Sequence, residues 1–281
     1  MVKASDTLVL LGCGFTGTHA AKLALAAGSR VIGTTRSPER AASLSRLGVD
    51  VRLAPRLDVD LVAPLLREDT RVLVTYPPDD TTDAALLPLL SRAASAVYLS
   101  STGVYGSAAG RIDEQTPVDP SEPRAAARLR AEALVRAAGG VVLRAAAIYG
   151  PGRGLHVRLA RGEHKIAEGG QSVISRIHVA DLARLALAAL ARAPKGEIFV
   201  VADDTPVPQA EVIDWLCARL GVPRPAEVPR ADLPPTLRND RSIDAGKIRR
   251  NLRVSLDYPS YREGFAACLA EEAHPPDLVR K

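Results

Sequence analysis

Cysteine is scarce in this chain of 281 residues. Only Cys13, Cys217 and Cys268 occur, without metal-ligand spacing, which argues against a thiolate metal site and fits a reduced, cytoplasmic setting. Histidines are few and scattered. His19, His156, His164 and His274 lie far apart, and no two histidines have the spacing of a zinc helix, so no metal is expected. No apolar run is long enough to cross a bilayer, and the chain enters a strand without a basic, leader-like segment, so neither a membrane partner nor export is expected. Nor is there a basic block interleaved with aromatics, the mark of a nucleic-acid groove. The net charge of +5, from 37 basic and 32 acidic residues, is spread along the chain. Repeats and low-complexity stretches are absent. What remains is an ordinary globular composition, 47% hydrophobic and 25% charged, long enough for one large α/β domain and a smaller lobe.

The strongest signal is Gly12-Cys13-Gly14-Phe15-Thr16-Gly17, which follows the apolar run Thr7–Leu11 and precedes an Ala/Leu-rich stretch. This is a strand, a glycine turn and a helix start in the pattern G-x-G-x-x-G. Gly12 permits a tight turn, Gly14 lets a diphosphate approach the backbone, and Gly17 allows close packing of helix on strand. The free N–H groups and dipole of the helix then face the phosphates. The motif predicts dinucleotide binding.

Short β-rich runs alternate with helical stretches through the first half, which predicts a doubly wound parallel sheet of the Rossmann type. The expected strands are Thr7–Leu11, Arg30–Thr34, Val49–Leu53, Val72–Thr75, Ala96–Ser100 and Val141–Arg144. Helices are expected over Gly17–Ala27, Pro38–Leu47, Asp83–Ala93 and Glu122–Ala138. After Tyr149 the texture changes to a Gly/Pro loop. A return to the core is expected at Ser172–Ile177, then a helix Val179–Ala193 and a strand Glu197–Val201. Pro208–Leu220, Ile243–Arg250 and Tyr261–Glu272 read as further helices, and Ala226–Asp240 as irregular. The domain reading is therefore 1–150 for the dinucleotide-binding part, with 172–202 returning to it, and 151–281 as a mainly substrate-binding, discontinuous lobe.

The second strand ends in Thr34-Thr35-Arg36-Ser37, without the carboxylate that usually receives the ribose hydroxyls of NAD. Arg36, with Arg40 a helical turn later, can make paired hydrogen bonds to a 2′-phosphate, which favours NADP over NAD. The alternative is that both are solvated surface charges.

Taken together, the glycine turn, Tyr98-Leu99-Ser100-Ser101-Thr102-Gly103-Val104-Tyr105-Gly106, Asp113–Pro117, Leu143–Gly152 and Ile177–Asp181 resemble the extended short-chain dehydrogenase/reductase superfamily, which includes sugar-nucleotide epimerases and dehydratases. The likeness spans nearly the whole chain. Leu11 stands where extended members carry their first glycine, so the chain looks more like an atypical subgroup of epimerase-like reductases. The resemblance implies that Ser101 hydrogen-bonds the substrate oxygen and that a Tyr and a Lys four residues later follow on one helix face. Here Arg124 and Arg128 occupy those positions. A guanidinium is not deprotonated in proteins, so Arg124 cannot act as a proton-cycling base, whereas Arg128 can still offer charge to the ribose. Another proton donor is then required, with Tyr105 first and Tyr76 and Tyr149 as alternatives. Each of them has a plain packing role as its other reading.

The expected cofactor contacts are Gly12, Gly14, Phe15, Thr16, Gly17, Thr35, Arg36, Arg40, Tyr76, Ser100 and Arg128. Substrate contacts are expected from Thr102, Arg124, Tyr149 and Arg153, with Ser101 and Tyr105 catalytic. Arg176 and Arg241, with Arg153, are placed near the cleft as anion binders or as surface charges. His178 is expected to make a structural hydrogen bond and Asp181 to help start its helix. Asp203-Asp204 reads as a turn, and no G-x-S-x-G elbow surrounds Ser100-Ser101-Thr102. Two functions follow: an oxidoreductase or epimerase-like enzyme on a small polar or sugar-like molecule, or a catalytically silent NADP(H)-binding sensor. A homodimer is left open.

Overall fold

The computed structural model describes residues 7–234 and 237–273; His274 lies outside them. The chain runs β1 (Thr7–Leu11), α1 (Phe15–Ala26), β2 (Arg30–Thr35), α2 (Pro38–Arg46), β3 (Asp50–Leu53), α3 (Val59–Val62), β4 (Thr70–Val74), α4 (Asp80–Leu86), β5 (Ser95–Ser101), β6 (Gly110–Ile112) and α5 (Pro123–Ala137). It continues with β7 (Val141–Ala145), β8 (Ala147–Tyr149), α6 (Leu155–Ala160), β9 (Ile166–Ala167), β10 (Arg176–His178), α7 (Val179–Arg192), β11 (Ile198–Val201), α8 (Gln209–Leu220), β12 (Glu227–Val228), β13 (Arg241–Ile243), α9 (Gly246–Leu252) and α10 (Tyr261–Ala273).

Seven strands form one all-parallel sheet in the order β11-β7-β5-β4-β1-β2-β3. Such strands are covered on both faces, which is why they read as continuous apolar runs rather than alternating ones. On one face the small side chains Ala20, Ala21 and Ala24 of α1 and Ala183 and Ala186 of α7 pack with Leu8, Leu10 and Leu143. On the other, Val9, Leu11, Val72 and Val74 meet Leu86 of α4 and Ala131 and Val135 of α5. The strand order reverses direction between β1 and β4. In open α/β sheets this reversal opens a crevice at the carboxyl ends of the strands.

A third apolar cluster stands apart from the sheet. Tyr149, Leu155 and Leu159 join Val212, Ile213 and Leu216 of α8 and Tyr261, Phe265 and Cys268 of α10. Three short parallel pairs tie the later segments down: β8 with β10, β9 with β12 and β6 with β13.

The doubly wound expectation holds, with adjustments at three places. Ser172–Ile177 returns to the core through the buried Ile177, but its strand, Arg176–His178, pairs with β8 rather than with the main sheet. The expected helix at Ile243 begins at Gly246, because Arg241–Ile243 is drawn into pairing with β6. The expected helix Asp83–Ala93 starts earlier, where Asp79 caps Thr82 N–H, and tightens to 3₁₀ geometry from Leu87, next to Pro88.

Candidate functional site

The turn after β1 is shaped by its glycines. Gly12 has φ +86°, and a Cβ there would lie 2.7 Å from the Tyr76 backbone nitrogen. Gly12 N–H donates to Thr34 Oγ1 at 2.8 Å, and its carbonyl accepts from the Thr75 hydroxyl, so β1, β2 and β4 are locked together at this point. Gly14 behaves differently. A Cβ there would meet nothing closer than the Gly12 carbonyl at 3.8 Å, so its open side is the approach to the backbone. Gly14 caps α1 without a side-chain hydrogen bond, and no acidic residue occupies the first turn of that helix. The first N–H groups of α1 are therefore left for an external acceptor, with the positive end of the helix dipole behind them.

These groups line a cleft of about 930 Å³ together with Phe15, Thr34, Thr35, Arg36, Arg40, Arg56, Tyr76, Pro77, Asp79 and Arg153. Its volume lies in the upper part of the range of small-molecule and cofactor sites, roughly 300–1,000 Å³. The end of β2 contributes Thr35 and Arg36 and no carboxylate, and Arg40 follows on α2. Arg56, on the loop after β3, was not singled out from the sequence. It reaches the cleft because β3 neighbours β2, a relation fixed by strand order alone. A donor-rich turn lies at one end of the cleft and arginines at the other.

Burial pushes the Cys13 thiol up to about 11, so it is a packing group under the turn rather than a nucleophile. Thr16 and Gly17 are buried in α1 behind the turn and do not line the cleft. Burial is also the first cause, followed by Asp83, that raises the Tyr76 phenol well above its ordinary value. Tyr76 is thus a wall of the cleft.

Ser101, at the end of β5, accepts the Gly103 N–H at 3.1 Å through its Oγ. That bond leaves the hydroxyl proton available to a ligand oxygen. Thr102 follows it, half-buried. Arg124 is exposed on α5, and Arg128 is half-buried near the Tyr98 phenol, whose upward shift from burial it opposes.

Three residues expected at the site are held elsewhere. Ser100 is buried, and its hydroxyl donates to Glu132 Oε1 at 2.6 Å rather than facing a cofactor. Tyr105, the first-choice proton donor, is 1% exposed; its phenol donates to the Asp113 carbonyl at 2.8 Å and accepts from Arg144 Nη1 at 3.1 Å. Its proton is committed to a main-chain acceptor, and burial raises its pKa. Tyr149, expected to touch substrate, packs inside the third apolar cluster against Phe265, with ring centroids 4.3 Å apart.

The other arginines separate in the same way. Arg241 donates to the carbonyls of Ala108, Thr102 and Gly106, so it staples the loop after β5. Arg176 is fully enclosed beside Asp203. Arg153 alone among the three lines the cleft. His178 Nδ1 accepts the Ala180 N–H at 3.3 Å at the start of α7, and Asp181 accepts the N–H groups of Asp257 and Tyr258, so both are structural.

A doubly wound sheet with a glycine turn at its switch point defines a nucleotide-binding α/β protein. The comparisons with known proteins narrow this. The profile of the NAD dependent epimerase/dehydratase family matches residues 82–202. A 3-diazoavenalumate denitrifying reductase from a Streptomyces species is 32% identical over 211 residues, covering 66% of this chain and 69% of that one. A functionally unknown conserved protein from Silicibacter pomeroyi DSS superposes with a TM-score of 0.82 at 32% identity, covering 95% and 99% of the two chains. A dTDP-glucose 4,6-dehydratase from Bacillus anthracis, solved with NAD, shares the fold at a TM-score of 0.78 and 18% identity, covering 96% and 97%. The chain belongs to the NAD dependent epimerase/dehydratase family.

Proposed function

We propose that this protein is an NADPH-dependent reductase acting on a small polar or sugar-like molecule, with a proton supply different from the usual tyrosine relay. The observation that carries the reading is the single cleft joining the glycine turn to Arg36, Arg40 and Arg56, with no carboxylate at the end of β2. An acidic residue there would receive ribose hydroxyls; guanidinium groups receive a 2′-phosphate instead. When bound, the cofactor would supply a hydride. The chain's own contribution is to hold the diphosphate on the Gly12–Gly14 turn and α1, and the 2′-phosphate on the arginines. Ser101 and Thr102 at the end of β5 would offer hydroxyls to the substrate oxygen, and Arg128 a positive charge near the ribose. We assign residues 1–150 and 172–202 to nucleotide binding, and 151–171 with 203–281 to substrate binding.

Arg124 cannot cycle a proton, and the Tyr105 and Tyr149 phenols are enclosed. Two chemistries are compatible with that arrangement. Water or the Ser101 hydroxyl can deliver the proton to a carbonyl oxygen. Alternatively, the hydride acceptor is a cation whose reduction leaves no anion to protonate, such as an iminium or a diazonium group. The reductase relative named for a diazo compound favours the second class.

The test is single-turnover transfer from NADPH deuterated at the nicotinamide C4, run against carbonyl, iminium, activated-alkene and diazo acceptors. Deuterium in one product, with NADPH used in preference to NADH, is expected. Tight NADPH binding without transfer to any acceptor class would replace the enzyme reading with that of an NADP(H)-binding sensor.

A further inference from the structure

Arg153 enters the cofactor cleft from the wrong direction for a residue of the nucleotide-binding half. It lies in the turn between β8 and α6, beyond the point where the chain leaves the main sheet. That turn is tightly built. Gly150 N–H donates to the Arg153 carbonyl at 2.9 Å and Arg153 N–H donates back at 3.0 Å, closing a small loop. Gly152 N–H donates to Glu272 Oε1 at 2.7 Å, and the same oxygen lies 2.8 Å from His156 Nε2, so α6 and α10 hold the loop from behind. In front it abuts α1: a Cβ on Gly150 would come 3.1 Å from Phe15 Cζ.

The side chain follows from this placement. The Arg153 guanidinium lies 5.2 Å from the centroid of the Phe15 ring, over its face, and lines the same cleft as Gly12 and Gly14. Among the described residues it has no carboxylate partner, whereas Arg130, Arg144 and Arg184 each have one. An unpaired cation is therefore held by an aromatic ring at the first residue of the helix whose N–H groups face the cleft. Arg36, Arg40 and Arg56 belong to the segments after β2 and β3 instead.

We propose that Arg153 is a diphosphate-binding arm supplied by the second lobe, rather than a contact to an anionic substrate. This rests on the dinucleotide reading above and adds to it a bridge between the two lobes. Cofactor would draw the Gly150–Gly154 turn, and with it α6 and α10, against α1.

Ligand fragments separate the possibilities. The intact protein, Arg153→Gln, Arg153→Lys and Arg36→Ala are titrated with NADPH, NADH, ADP-ribose and adenosine 2′-monophosphate. Loss of one charge-assisted contact weakens binding by roughly tenfold. Arg153→Gln should lose about that much for NADPH, NADH and ADP-ribose, and nothing for adenosine 2′-monophosphate, which has no diphosphate. Arg153→Lys should recover part of the loss, because the charge remains without the planar fork. Arg36→Ala should instead weaken NADPH and adenosine 2′-monophosphate and spare NADH and ADP-ribose. Unchanged ADP-ribose affinity in Arg153→Gln overturns the proposal, and a defect confined to the substrate KM returns Arg153 to substrate binding. Arg153 is exposed, so folding should be unaffected, and an unchanged melting temperature checks this. Should wild-type protein bind ADP-ribose yet transfer no hydride, the enzyme reading fails and the diphosphate arm stands.

Discussion

Removing the Glu132 carboxylate should be among the most damaging single changes in this protein. Glu132 on α5 and Arg144 on β7 form a bidentate pair with Nη2–Oε2 at 2.7 Å, and their side chains are only 4% and 6% exposed. The same carboxylate accepts the Ser100 hydroxyl, and Arg144 in turn donates to Tyr105. Glu132→Ala leaves a guanidinium buried without its counter-charge and a serine without its acceptor. Breaking a buried pair in this one-sided way costs about 3–5 kcal/mol, a large share of the roughly 5–15 kcal/mol that holds a typical domain folded. Replacing both members by apolar residues of similar size, Glu132→Leu with Arg144→Met, should be far milder, between neutral and a gain of a few kcal/mol. Urea titration at constant ionic strength measures this as a fall in the midpoint with little change in slope for the single variant, and recovery in the double. A loss under about 1 kcal/mol for Glu132→Ala would mean that water reaches the pair, and the reasoning about a sealed network beneath Ser101 would be wrong.

Arg36→Ala should weaken NADPH by about tenfold while leaving NADH nearly unchanged, as isothermal titration can show; equal losses would remove the 2′-phosphate assignment. Gly12→Ala places a methyl 2.7 Å from the Tyr76 backbone at φ +86°, so a stability loss of about 1–3 kcal/mol and poor cofactor binding are expected from thermal melts and titration, and an unaffected variant would contradict the turn geometry. Asp203 is 2% exposed, and burial, opposed by Arg176, raises its carboxyl from 3.8 to about 7. Between those values the folded state binds more protons than the unfolded chain, so this residue's contribution makes stability fall as pH rises from about 4 to 7 and level off above. Asp203→Asn should therefore gain on wild type by a few kcal/mol at pH 8 and little at pH 4; a difference independent of pH would refute the burial argument.

The parallel sheet and its glycine turn were legible because their signals are local. A glycine that must adopt positive φ, an apolar run before it and an Ala-rich helix after it all sit within one stretch of sequence. The sidedness of β5 was not read, since Ser100 was expected at the cofactor. Tyr98 and Ser100 alternate with Leu99 and Ser101, so Ser100 shares a face with Tyr98 and looks toward α5. Glu132, on the buried side of α5, was not singled out from the sequence. Arg56 and the partner of β10 were beyond sequence reading, since each depends on which strands become neighbours. A three-residue strand such as Arg176–His178 carries too little periodicity to announce its pairing. Tyr105 was misplaced for a similar reason, because nothing in its own segment shows that Arg144 and the Asp113 carbonyl enclose it.

Calorimetric titration of the folded protein with NADPH and then NADH is the most direct test. Saturable binding of NADPH, tighter than NADH and weakened by salt, is the expected outcome. Absence of heat and of any melting-temperature shift with either nucleotide, on protein that unfolds cooperatively, would contradict it.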